Sequence, residues 1–254
     1  MDQYIYLSNS VWLYKDEDSW GDTDINRLKA VLNAVIEVFD SLKVASVGYQ
    51  KVFVLPTRSD MRNPEIKHGK GQYLEIYLSA RSCRWCQYIY QFAHEYSHYL
   101  IRNSYEIKYT TLWFEETICE LSSIFCLRKI AKNWYVNPPY GFRDYVQYIN
   151  PYAQDIINET NRIQTRANDW IKMNEYLLQD IRNREYPREL YSSLAVYLLP
   201  YFEQTQELWK MLPYLSEPDK GEYHGFNNFI SVNLKRRIPF FMENVYMSFA
   251  RIFS

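Results

Sequence analysis

The hydrophobic pattern changes period along the chain. Near the start, short apolar runs predict strands at Val11–Tyr14 and, more clearly, at Lys51–Leu55. Between them Ile25, Leu28, Val31, Leu32, Val35, Ile36 and Phe39 recur at steps of three and four. That stripe predicts an amphipathic helix over Asp24–Val44, with Thr23 or Asp24 as its N-cap. Gln72–Ser79 alternates, Leu74, Ile76 and Leu78 against Tyr73, Glu75 and Tyr77, and predicts a half-buried strand. Thr57–Lys70, punctuated by Pro64 and preceded by Pro56, predicts a loop.

From Cys83 onward the period is helical. Helices are expected at Cys83–Arg102, Leu112–Asn133, Pro151–Ile163, Asp169–Asn183, Arg188–Phe202, Tyr223–Arg237 and Phe240–Ile252, with breaks at Pro138-Pro139 and Ser216–Gly221. Strands early and helices late make an α+β protein, mostly helical. The expected division is a mixed α/β lobe over residues 1–135, ending with two central helices, and a helical lobe over residues 136–254.

Composition narrows the function classes. With 47% apolar and 23% charged residues, 7 Gly and 10 Pro, the chain has the balance of a globular protein. Its 25 Tyr, 13 Phe and 7 Trp read first as a densely packed core with half-buried phenols. The net charge of -1 gives no electrostatic argument for nucleic acid or a membrane surface, and Lys235-Arg236-Arg237 reads as a solvated helix end. No signal peptide opens the sequence and no apolar run reaches membrane-spanning length, so a cytoplasmic home is expected. Cys83, Cys86, Cys119 and Cys126 are too few and too clustered for a disulfide scaffold. The C-x-x-C of Cys83 and Cys86 invites a redox or zinc half-site, but buried structural thiols are the expectation.

The chemistry concentrates in His94-Glu95-Tyr96-Ser97-His98, an H-E-x-x-H pattern that uses two of the chain's four histidines. Residues four apart share a helical face, so both imidazoles can reach one zinc ion. Glu95, about 100° round the helix from His94, can serve as general base toward water on that ion. A metzincin would place Gly and His three and six residues beyond His98; Ile101 and Ser104 stand there, which excludes that class.

Trp113-Phe114-Glu115-Glu116-Thr117-Ile118-Cys119 resembles the W-x-N-E-G-x-A segment of aminopeptidase-like gluzincins, and with H-E-x-x-H it covers about Gln72 to Lys132. The resemblance implies Glu116, with 17 residues between His98 and it, as third zinc ligand in preference to its neighbour Glu115. It implies Glu120 as the acid that accepts a hydrogen bond from a ligand histidine. It also implies that the strand before the H-E-x-x-H helix offers an edge to an extended peptide, and that a Tyr or His stabilises the oxyanion. Tyr109, Tyr105 and His224 are the candidates for that role. The G-x-M-E-N segment of the aminopeptidases has no counterpart, since Phe241-Met242-Glu243-Asn244 falls far downstream. The expected function is a zinc metallopeptidase acting on a peptide or protein. The alternative is a protein-binding module of the same scaffold with a structural or vestigial metal.

Overall fold

Five short strands form one mixed sheet in the order β1-β2-β3-β5-β4: β1 (Tyr4–Tyr6), β2 (Val11–Tyr14), β3 (Lys51–Pro56), β4 (Glu65–His68) and β5 (Tyr73–Leu78). The structure is a computed structural model and describes residues 3–44, 50–61, 63–69, 73–102, 112–179, 188–215 and 225–254. The inner pairs β2/β3 and β3/β5 are parallel, and the outer pairs β1/β2 and β4/β5 antiparallel. Register follows burial. Val11 pairs with Val52 and Leu13 with Val54, while Val52 and Val54 pair in turn with Leu74 and Ile76. All six side chains are buried, so a one-residue slip would turn this apolar row to the other face.

β1 and β4 were not expected. Each has only three or four residues, too short for alternation to register. β4 lies in the stretch 57–70 predicted as loop. It takes its order from backbone pairing to β5 rather than from its own side chains, of which Lys67 and His68 are exposed. β5 is therefore flanked on both sides, and the outer strand is β4.

α1 (Ile25–Ser41) buries the predicted stripe, Leu28, Val31, Leu32, Val35, Ile36 and Phe39. Its N-cap is Asp24, whose Oδ1 accepts from the Asn26 and Arg27 amides at 2.9 and 3.1 Å. α2 (Trp85–Arg102) and α3 (Leu112–Val136) are the two long central helices. α2 is tied to the end of β5 by Gln91. Its Oε1 accepts from the Ser79 and Ala80 amides at 2.9 and 3.0 Å, and its Nε2 donates to Ser79 Oγ at 2.9 Å.

α4 (Val146–Glu159) begins five residues before the expected proline start and carries Pro151 inside it. Proline there removes one helical hydrogen bond. The buried stripe of Phe142, Val146, Ile149 and Ala153 explains why the helix forms across it. Further along come α5 (Ala167–Gln179), α6 (Arg188–Gln204), a 3-10 segment Gln206–Tyr214, α7 (Phe226–Asn228), a π-helical turn Phe229–Leu234, α8 (Lys235–Arg237), a 3-10 turn Phe240–Met242 and α9 (Glu243–Arg251). The fold is α+β and mostly helical.

The chain divides into two compact units: Met1–Ser41, Gly48–Tyr99 and Ser122–Ile156 in the first, Leu42–Val47, Leu100–Leu121 and Ile157–Ser254 in the second. The first holds the sheet. Its helical part includes Arg27, whose guanidinium stacks over Trp85 and Phe142 at 5.1 and 4.8 Å and donates to the Gly141 carbonyl at 2.6 Å. The second is built around phenylalanine. Phe114 lies against Phe226, Phe229, Phe249 and Phe253, with ring centroids 4.9 to 6.3 Å apart.

Candidate metal centre

The H-E-x-x-H residues lie in the third and fourth turns of α2. Phe92, Ala93, Tyr96 and Tyr99 are buried around them and lock the helix. His94 and His98 stand on one face with ring centroids 4.9 Å apart and planes at 70°. His94 is half-buried and His98 buried. Glu95 is also buried, at 5% exposure. A carboxylate so far from bulk water is costly unless something polar engages it.

α3 supplies the acids. Its first turns are anchored by Trp113 and Phe114, both buried, and Trp113 packs on Phe226 at 5.1 Å. Thr117 Oγ1 bonds back to the Trp113 carbonyl at 2.9 Å. Beyond these residues the helix is buried all round as far as Leu127, including Ile118, Cys119, Leu121 and Ile124. Three glutamates on such a helix carry a desolvation cost that polar partners must offset. Glu115 and Glu120 are buried, Glu116 half-buried. Glu115 is the acidic residue of the first turn of α3.

His94, His98 and Glu116 each offer one ligand atom, and the three atoms lie within 4.8 Å of one another. The group can hold a metal ion. Tetrahedral zinc at about 2.1 Å sets its ligands about 3.4 Å apart. Two imidazoles and one carboxylate also leave a position open for water, the donor set of a catalytic rather than a closed site.

The second such group among the described residues is His98, Glu115 and Cys119, all three buried. It shares His98 with the first. Sequence reasoning weighed Glu115 only as a rival to Glu116 and did not bring Cys119 to the metal. The signal was present: Glu115 and Cys119 are four apart and share a helical face. Glu120 is buried on the same helix and has an interaction partner. Tyr105, Tyr109 and His224 lie outside the described residues. His68 is exposed on β4 and belongs to neither group.

The peptide edge expected at Gln72–Ser79 needs correction. β5 is hydrogen-bonded to β3 and to β4, so its backbone has no free side. Any strand addition in this region falls to β4.

Comparison with protein families, with curated proteins and with solved structures gives no match. No helix among the described residues is long and apolar enough to cross a membrane.

Proposed function

We propose that this chain is a zinc-dependent metallopeptidase in which His94, His98 and Glu116 hold the metal and Glu95 is the general base. The supporting observation is the convergence of those three ligand atoms within 4.8 Å, with Glu95 adjacent to His94 in the helix. Zinc bound there would lower the pKa of a water in its open position and polarise the scissile carbonyl.

The chain's own residues do the rest. His94 and His98 present ring nitrogens from one helix face, His98 buried and His94 half-buried, which limits their rotation. Glu95 takes a proton on a carboxylate oxygen from the attacking water and returns it to the leaving amide nitrogen. Its burial excludes competing solvent and strengthens that hydrogen bond. Glu120 orients a ligand histidine, as the gluzincin resemblance implies. The substrate is a peptide or protein, added in extended form along β4. No disulfide joins the cysteines among the described residues, which suits a reducing compartment such as the cytoplasm.

Glu95→Gln tests the chemistry apart from the metal. It should retain zinc and lose peptide-library cleavage by about 10²–10⁴-fold, the usual worth of a general base. Cleavage at the wild-type rate by a zinc-loaded variant would sink the proposal.

A second reading has its own support. His98, Glu115 and Cys119 are buried on every side, and a thiolate-containing set suits a structural zinc. In that case the chain is a binding module stabilised by metal.

A further inference from the structure

The metal reading makes no use of Cys83-Arg84-Trp85-Cys86, and the structure treats its two thiols differently. Cys83 is exposed and Cys86 buried, against the expectation of two buried thiols. Both line a cleft of about 580 Å³ together with Arg84, Tyr145, Tyr148 and Asp155.

The backbone through the motif is wound. The Arg84 amide donates to the Arg81 carbonyl at 3.4 Å and the Trp85 amide to Cys83 at 2.9 Å. The first helical bond runs from the Tyr88 amide to Arg84 at 3.1 Å. Winding of this kind keeps residues three apart within roughly the 4–7 Å between Cα atoms that a disulfide bridges.

Tyr145 holds the buried thiol. Its hydroxyl donates to Cys86 Sγ at 3.3 Å and accepts from the Cys86 amide at 3.2 Å. The Cys86 thiol itself points to the Tyr148 carbonyl at 3.8 Å. Because the Cys86 amide is in the first turn of α2, it bonds to a side chain rather than to helical backbone. Burial raises the pKa of Cys86, while the Tyr145 hydrogen bond lowers it in part. Burial also pushes the Tyr145 phenol upward, so it remains a donor. Cys86 is thereby kept as a protected thiol with a donor in place for the thiolate.

We propose that Cys83 and Cys86 form a peroxide-oxidisable dithiol, in which exposed Cys83 reacts first and Cys86 closes the disulfide. In the first step the Cys83 thiolate attacks one oxygen of hydrogen peroxide. An S–O bond forms and the O–O bond breaks. Sulfur gives up two electrons, and the departing hydroxide takes the proton that Cys83 released. In the second step Cys86 sulfur attacks Cys83 sulfur, the S–O bond breaks, and the leaving hydroxide takes the Cys86 proton as water. The balance is two thiols and one peroxide to one disulfide and two waters. Tyr145 is a positioning residue that stabilises the Cys86 thiolate as it forms.

The proposal stands apart from the metal reading, since eight residues, roughly 12 Å along the helix, separate Cys86 from His94. The test is peroxide titration of the full chain, followed by alkylation, trypsin digestion and mass spectrometry. Trypsin cuts after Arg84, so the expected disulfide holds two otherwise separate peptides together, and dithiothreitol releases them. Cys83→Ser should lower that linked product at least about tenfold. Cys86→Ser should instead give a dimedone adduct on Cys83. Tyr145→Phe should slow closure and leave more of that adduct. If Cys86→Ser does not fold, the linked peptides of the wild type decide the matter alone. Stepwise oxidation of Cys83 to sulfinic acid without linkage overturns the proposal. So does a Cys83 that stays reduced while peroxide oxidises free glutathione.

Discussion

Removing one carboxylate from the metal group should be visible as a lost thermal shift. Suppose zinc is supplied at 100 times its dissociation constant. Binding only to the folded state then stabilises it by about 2.7 kcal/mol. For a chain of 254 residues, roughly 2–4 °C per kcal/mol turns this into a rise of about 5–11 °C in Tm. Glu116→Gln keeps the side chain's shape and removes its charge. Loss of an outer-sphere partner already costs about 10–100-fold in metal affinity, so loss of a direct ligand should reach at least the upper figure. At the same zinc concentration the stabilisation then falls to about 0.4 kcal/mol, or about 1 °C.

The assay is differential scanning fluorimetry on protein stripped with chelator and titrated with zinc, with Glu115→Gln alongside. Because Glu115 belongs to the second group with His98 and Cys119, that variant should keep nearly the full shift. The reasoning is refuted in two ways. A wild type that shows no shift has no zinc site. A shift kept by Glu116→Gln and lost by Glu115→Gln puts the ion with His98 and Cys119. Cobalt substitution would then show thiolate charge transfer, which two histidines and a carboxylate cannot give.

Other outcomes follow from packing and titration. Phe114→Ala empties a buried site ringed by four phenylalanines and should cost about 3–5 kcal/mol in chemical denaturation. Arg27→Gln removes the stack on Trp85 and Phe142 as well as the bond to Gly141. The expected loss is about 1–2 kcal/mol, with little dependence on salt. Tyr77 donates to Glu75 Oε2 at 2.7 Å, and burial, then that bond, push its pKa up to about 12. The raised value means the folded state holds its proton where the unfolded chain has lost it. Its stabilisation is complete below pH 10 and lost between pH 10 and about 12. The stability gap between wild type and Tyr77→Phe, followed by urea melts, should shrink over that window.

Periodicity carried much of the fold because single side chains enforce it locally. The stripes of α1 and α2 and the alternation of β5 each bury enough apolar surface to declare their period, whereas α3, buried nearly all round, shows through its length. The N-cap was readable as Thr23 or Asp24, and the structure gives the role to Asp24, whose Oδ1 accepts from the Asn26 and Arg27 amides. β1 and β4 were not readable. Three or four residues held by a neighbour's backbone carry little signal of their own. α4 was misplaced because local rules start a helix at proline, while the buried stripe from Phe142 to Ala153 carries it across Pro151.

The same division runs through the candidate site. Sequence alone determined that His94 and His98 share a face and that Glu95 lies beside them, because helical geometry permits nothing else at that spacing. It could name Glu115, Glu116 and Glu120 but not say which atoms reach a histidine, since that depends on how α3 is rotated. Tertiary structure decided that Glu116 groups with His94 and His98, and Glu115 and Cys119 with His98. It also decided which thiol of Cys83 and Cys86 faces water. Burial of a single side chain is set by residues far away in the sequence, such as Tyr145 over Cys86, and no local pattern encodes it.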